Sequence, residues 1–261
     1  MTAPQRIAAD YLSIMDKRAP NLVTGLYFVG SVALDDYRPP ASDVDFVAVT
    51  ERPADAETVH RVHTELTNQH RRPHFDGVYV TWLELAQDPR KIAPGVHVHA
   101  GRTHADARES RHPVTWHTLA QCGVPVRGPA PADIDLWADR TALTESVREN
   151  LDTYWRRWHR DGSRRTSTKA AATLTDWGPV WAVLGVSRLH YTLATGKITS
   201  KTGAGVYARE AFAPEWHRII DECLRIRRAE PDPSRYPSRL ARRRDTLAFL
   251  DHVITDAQTI A

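Results

Sequence analysis

Asp43-Val44-Asp45 opens one apolar run, Phe46-Val47-Ala48-Val49, and another, Leu26-Tyr27-Phe28-Val29, ends in Gly30-Ser31. Side chains two apart on a strand share a face, so Asp43 and Asp45 project together while Val44 turns into the core. Two adjacent carboxylates repel unless a cation neutralises them, and an all-oxygen pair suits Mg²⁺. Gly30-Ser31 offers backbone N–H groups and a hydroxyl without bulk, as phosphate oxygens require. Asp76 opens a third such segment, in which Asp76, Val78 and Val80 fall on one face. With that strand beside the one bearing Asp43 and Asp45, three carboxylates meet at one end of a sheet. Two would hold Mg²⁺ on a triphosphate, and Asp76 would share the metal or take a proton from an attacking hydroxyl. Taken singly, Gly-Ser is an ordinary turn and Asp-x-Asp a solvated strand start. Taken together they predict metal-assisted transfer from a nucleoside triphosphate.

Such residues need a framework to hold them in place. Apolar spacing predicts a helix over 3–17, strands over 21–29 and 43–50, a helix over 54–70 and a strand over 75–82. The order helix, strand, strand, helix, strand implies a small mixed α/β sheet flanked by helices. Residues 88–112, rich in Pro, Gly, His and Arg, read as an irregular, mobile loop, followed by a short helix over 114–121 and a closing strand over 123–129. Pro129-Ala130-Pro131-Ala132 reads as a linker. Beyond it the period is helical throughout: Leu143, Val147, Leu151, Tyr154 and Trp158 mark one inward face. Further helices are predicted over 174–195, 203–211, 215–228 and 237–259, with Gly196 ending the first. The chain therefore divides into an α/β domain over 1–137 and an all-α helical bundle over 138–261.

Composition narrows the classes. With 261 residues, 41% hydrophobic and 26% charged, the chain suits a globular protein of one large domain or two modest ones. No apolar run is long enough to span a bilayer, and the first ten residues lack the apolar stretch of a secretory signal. Cys122 and Cys223 form neither a CxxC nor a disulfide framework, so a reducing cytoplasm is expected. Net charge is only +3, but Arg225, Arg227, Arg228, Arg235, Arg239, Arg242, Arg243 and Arg244 crowd the C-terminal stretch. Paired with Asp221, Glu222, Glu230 and Asp245, they read as a solvated helix face rather than a nucleic-acid surface. Among thirteen histidines, His97-x-His99 invites a zinc reading, which no accompanying Cys or HExxH supports.

The Gly-Ser…Asp-x-Asp pattern resembles the nucleotidyltransferase superfamily of polymerase β type. Val186 to Lys201, with Thr195-Gly196-Lys197 within it and Gly203-Ala204-Gly205-Val206-Tyr207-Ala208 after it, resembles the helical domain of bacterial aminoglycoside adenylyltransferases of the spectinomycin and streptomycin type. The resemblance implies an adenylyltransferase, with ATP as co-substrate, transferring AMP to a hydroxyl of a small acceptor such as an aminocyclitol antibiotic. Gly30 and Ser31 would then line the triphosphate, Asp43 and Asp45 bind Mg²⁺, and Lys197 and Lys201 reach the phosphates. Asp76 falls where the family places a catalytic glutamate, one methylene longer. Asp176 and Trp177 match the acceptor-binding segment, although Gly178 and Pro179 stand where the family carries acidic residues. A monomer is expected, with neither membrane nor nucleic acid as partner. Two alternatives remain open: the same transfer onto a protein or RNA hydroxyl, and a nucleotide-binding regulatory module without catalysis.

Overall fold

A computed structural model of the chain describes residues 1–108 and 110–260. The chain forms two compact units, Met1–Asp139 and Arg140–Ala261.

The first unit is built on a six-stranded mixed sheet in the order β5-β4-β3-β2-β1-β6. Helix α1 (Ala3–Arg18) starts at a capping box in which Thr2 and Gln5 satisfy each other's backbone N–H groups. Strand β1 (Val23–Phe28) leads through the short turn α2 (Gly30–Ala33) into the antiparallel strand β2 (Val44–Thr50). Helix α3 (Ala56–Gln69), capped by Asp55, then crosses over to β3 (Phe75–Thr81), which runs parallel to β2. The turn α4 (Trp82–Leu85) follows, and then β4 (Gly95–His99) and β5 (Arg102–Ala107) pair as a hairpin. Helix α5 (Pro113–Cys122) leads to β6 (Val124–Arg127), which pairs with β1.

Each face of this sheet buries its own core. On one face Phe46, Ala48, Phe75 and Tyr79 pack with Tyr11 and Met15 of α1 and Val59, Val62 and Leu66 of α3. On the other, Val47, Val49, Val78 and Val80 pack with Leu85, Trp116 and Leu119. Two expectations are corrected here. Residues 88–112 are not an irregular mobile loop, because they contain the β4–β5 hairpin. The stretch at Pro129 to Ala132 is not a linker, since the chain continues on the first unit, with Ile134, Leu136 and Trp137 packed on its second core.

The second unit is helical among its described residues. Helix α6 (Arg140–Asn150) runs through a π turn (Leu151–Trp155) into α7 (Arg156–Ser163). Helix α8 (Thr168–Thr173) and the long α9 (Trp177–Thr195) follow, and α9 ends at Gly196, whose φ of 71° lies in the left-handed region where glycine is favoured. Helices α10 (Lys201–Ala211), α11 (His217–Arg227) and α12 (Arg239–Asp256) complete the unit, with α9 against α10, α11 and α12. The inward face read from Leu143 to Trp158 changes register at the π turn. Tyr154 is 37% exposed and Trp155 takes its place in the core, because a π turn carries one extra residue. Among the described residues no helix is long and apolar enough to cross a membrane.

Candidate active site

Strand pairing decides where the carboxylates stand. β2 and β3 are parallel with Asp45 opposite Asp76, each at the start of its strand. The row Val49, Val47, Asp45 and the row Val80, Val78, Asp76 each fill the second core with valines and end in a carboxylate. Asp43 lies one residue before β2, where its Oδ1 accepts from the His74 N–H at 3.1 Å and from Arg72 Nη1 at 3.3 Å. Asp43, Asp45 and Asp76 thus gather at one end of two adjacent strands.

Gly30 belongs to the same end. It follows β1 with φ at 57°, and a Cβ built on it would overlap the Oδ2 of Asp45. Both facts favour glycine: the backbone conformation, and the space that the carboxylate fills. The Val29 N–H donates to the Asp45 carbonyl at 3.0 Å, tying the end of β1 to the start of β2. Ser31, in the first turn after Gly30, directs its hydroxyl toward the Asp43 carbonyl at 3.5 Å.

Asp76 is more deeply buried than the other two, with only 6% of the residue exposed. Its Oδ2 accepts from the Ala100 N–H at 2.8 Å and its Oδ1 from the Gly101 N–H at 3.4 Å. Ala100 and Gly101 form the two-residue turn between β4 and β5, both with positive φ, as such hairpins require. His99 stands beside them, its Nδ1 at 3.5 Å from Asp76 Oδ2. Burial pushes the Asp76 carboxyl above its usual range, the two amide bonds pull it back in part, and the charge of Asp43 raises it again. A carboxylate with raised proton affinity at a sheet end suits a proton acceptor.

The hairpin amides were not legible as site groups in a segment read as a loop. A usable signal was present: Val96 and Val98 alternate with His97 and His99 before an Ala-Gly turn. His97 pairs across the hairpin with His104, while His112 caps α5 and His117 meets the Asp139 carbonyl. Among the described residues no group of three or more His, Cys, Asp or Glu side chains is arranged to hold a metal ion. That is compatible with Mg²⁺, which commonly takes one or two carboxylates and completes its shell with water and phosphate oxygens.

In the second unit, Lys201 opens α10 behind the Ser200 cap, and Lys197 lies exposed just after α9. Asp176 precedes α9, and its carboxylate pairs with Arg242 at 2.8 Å. Trp177 is 54% exposed and stacks on Trp181 at 5.4 Å between ring centres. Gly178 and Pro179 are buried in the first turn of α9. The C-terminal arginines are largely spent on internal pairs: Arg225 and Arg242 on Glu222, Arg228 on Glu230, Arg244 on Asp245.

Residues 9–93 match the family model of the nucleotidyltransferase domain, and residues 160–247 match that of the aminoglycoside adenylyltransferase C-terminal domain. No curated protein matches the sequence. A crystal structure of spectinomycin adenyltransferase AAD(9) from Enterococcus faecialis with ATP and spectinomycin is similar in fold, with a TM-score of 0.73. The two share 12% identity, over 97% of this chain and 99% of that chain.

Proposed function

Because this chain joins a nucleotidyltransferase domain to a C-terminal domain of the aminoglycoside adenylyltransferases, we propose that it transfers AMP from ATP to a hydroxyl of a small acceptor, with pyrophosphate leaving. The observation that carries the reading is the pairing of Asp45 with Asp76 across parallel strands, beside a Gly30 whose Cβ would overlap the Asp45 carboxylate. Asp43 and Asp45 supply a hard, all-oxygen donor set at one strand start, which fits Mg²⁺. Bound there, Mg²⁺ supplies charge neutralisation for the phosphates and polarises the one under attack.

The remaining work belongs to the chain's own groups. Gly30 and Ser31 offer the phosphates unobstructed amides and a hydroxyl at the end of β1. Asp76, its proton affinity raised by burial, accepts the proton of the acceptor hydroxyl. Lys197 and Lys201 offset phosphate charge, and a transition state of this kind is stabilised chiefly by position and charge. For the acceptor, Trp177 offers an exposed ring and Asp176 a carboxylate already paired with Arg242. An aminocyclitol of the spectinomycin or streptomycin type is the acceptor proposed, and the match of residues 160–247 supports it.

The test is an adenylylation screen with labelled ATP and Mg²⁺ against a panel of aminocyclitols and hydroxylated metabolites. Transfer to an aminocyclitol that Asp45→Asn abolishes is the expected result. Turnover that survives Asp45→Asn overturns the metal assignment. Turnover on other hydroxyls alone overturns the acceptor.

A further inference from the structure

Trp181, in the second turn of α9, is braced on several sides. Trp177 stacks against it with 17° between ring planes, and Trp155 lies tilted at 6.2 Å. Its indole N–H donates to the Tyr154 hydroxyl at 3.0 Å. Over the indole face lies the Lys201 ammonium, 5.1 Å from the ring centre. The backbone of Lys201 is fixed in turn, because the Ser200 hydroxyl accepts from the Gly203 N–H and starts α10.

The π turn of Leu151–Trp155 is what assembles this arrangement. A regular helix would turn residue 154 inward with Leu151 and Trp158. The extra residue buries Trp155 instead, in a recess that only a glycine leaves: a Cβ at Gly185 would stand 2.6 Å from Trp155 Cζ2. Tyr154 is thereby turned outward, where its hydroxyl meets Trp181. Turns of this kind are rare and lie frequently at functional sites.

From this geometry we infer that Trp181, braced by Tyr154, is a positioning residue for the Lys201 ammonium. The inference rests on the reading of Lys201 as a phosphate contact of ATP. A lysine surrenders much rotamer freedom when it engages a phosphate. One already held over an indole face has less to surrender. The contacts of Trp181 and Tyr154 within this unit carry that role.

Calorimetric binding of Mg·ATP and of inorganic triphosphate, which lacks the base, tests this on the full chain without any acceptor. The variants are Trp181→Leu, Trp181→Phe, Tyr154→Phe, Lys201→Met and the Trp181→Leu/Lys201→Met double, each checked for an intact melting transition. Trp181→Leu is expected to weaken both ligands roughly two- to thirty-fold, the range of a cation–π contact. Trp181→Phe should restore most of the loss, and Tyr154→Phe should show a smaller loss of the same sign. On the Lys201→Met background, Trp181→Leu should add nothing. Losses that multiply in the double variant, or a Trp181→Leu chain that binds as the wild type while Lys201→Met binds weakly, overturn the positioning role. Wild-type binding by Lys201→Met overturns the phosphate reading of Lys201 itself, and the positioning role with it.

Discussion

Asp76 is buried and ionisable, and its proton affinity is raised chiefly by that burial. The sign of its effect on stability follows from this: a folded state that binds the proton more tightly than the unfolded chain loses stability as pH rises through the raised pKa. Asp76→Asn removes that loss while its carbonyl can still accept from the Ala100 amide. The variant is expected to melt no lower than the wild type at neutral pH, yet to lose transfer on the order of 10²–10⁴-fold. Melting curves and initial rates on the same preparation check both halves. A variant that loses stability at neutral pH would show instead that the hairpin turn needs the charge. The carboxylate itself was legible in the sequence, since alternation placed Asp76 with Val78 and Val80. Its amide partners were not, because the β4–β5 pairing joins residues that no local period connects to residue 76.

At the scale of elements, one buried carboxylate fastens three pieces of the second unit. Glu222 on α11 accepts from Arg225, from the Ser234 hydroxyl and the Arg235 N–H of the following loop, and from Arg242 of α12. Burial alone would raise its carboxyl, but these donors prevail and hold it at about 2. A depressed value contributes stability that is complete above the ordinary carboxylate range and lost as pH falls toward about 2. Glu222→Gln strips Arg225 of its carboxylate partner and leaves Arg242 with Asp176 alone, at a cost of roughly 3–5 kcal/mol. Melting should fall by ~10 °C at pH 7, by the scaling of stability to Tm for units of this size. The acid slope between about pH 4 and 2 should flatten in the same variant. Sequence reading listed Glu222 among the partners of the basic cluster, yet burial and the loop donors around it depend on tertiary folding. The same limit appears at Tyr154, where the period was right and one extra helical residue moved the face.

At the scale of the whole molecule, several of the arginines serve the chain's own fold. Arg243 donates to the carbonyls of Gly162 and Arg164, and Arg148 to those of Ala257 and Ile260, so two more cations serve helix ends. A chain using its arginines this way should hold RNA no better than a non-specific binder at about 0.15 M salt, with Kd no tighter than about 10⁻⁶ M. Filter binding over a salt series checks this, and tight, weakly salt-dependent retention would revive an RNA acceptor. The sheet-and-bundle plan was legible in outline because strands and helices carry different periods, although the β4–β5 hairpin lay hidden in a segment read as a loop. Boundaries such as the supposed Pro129–Ala132 linker were not, since composition marks a turn without saying what packs on the far side of it.

Gly30 has a consequence for anyone building variant libraries of this protein. Its backbone sits at a φ of 57°, and on that backbone the Oδ2 of Asp45 occupies the place of a side chain. Any Cβ there must displace the carboxylate assigned here to the metal, so the loss would fall on the chemistry as well as on the fold. For a randomised codon, glycine should be strongly enriched at residue 30, whatever acceptor the selection rewards.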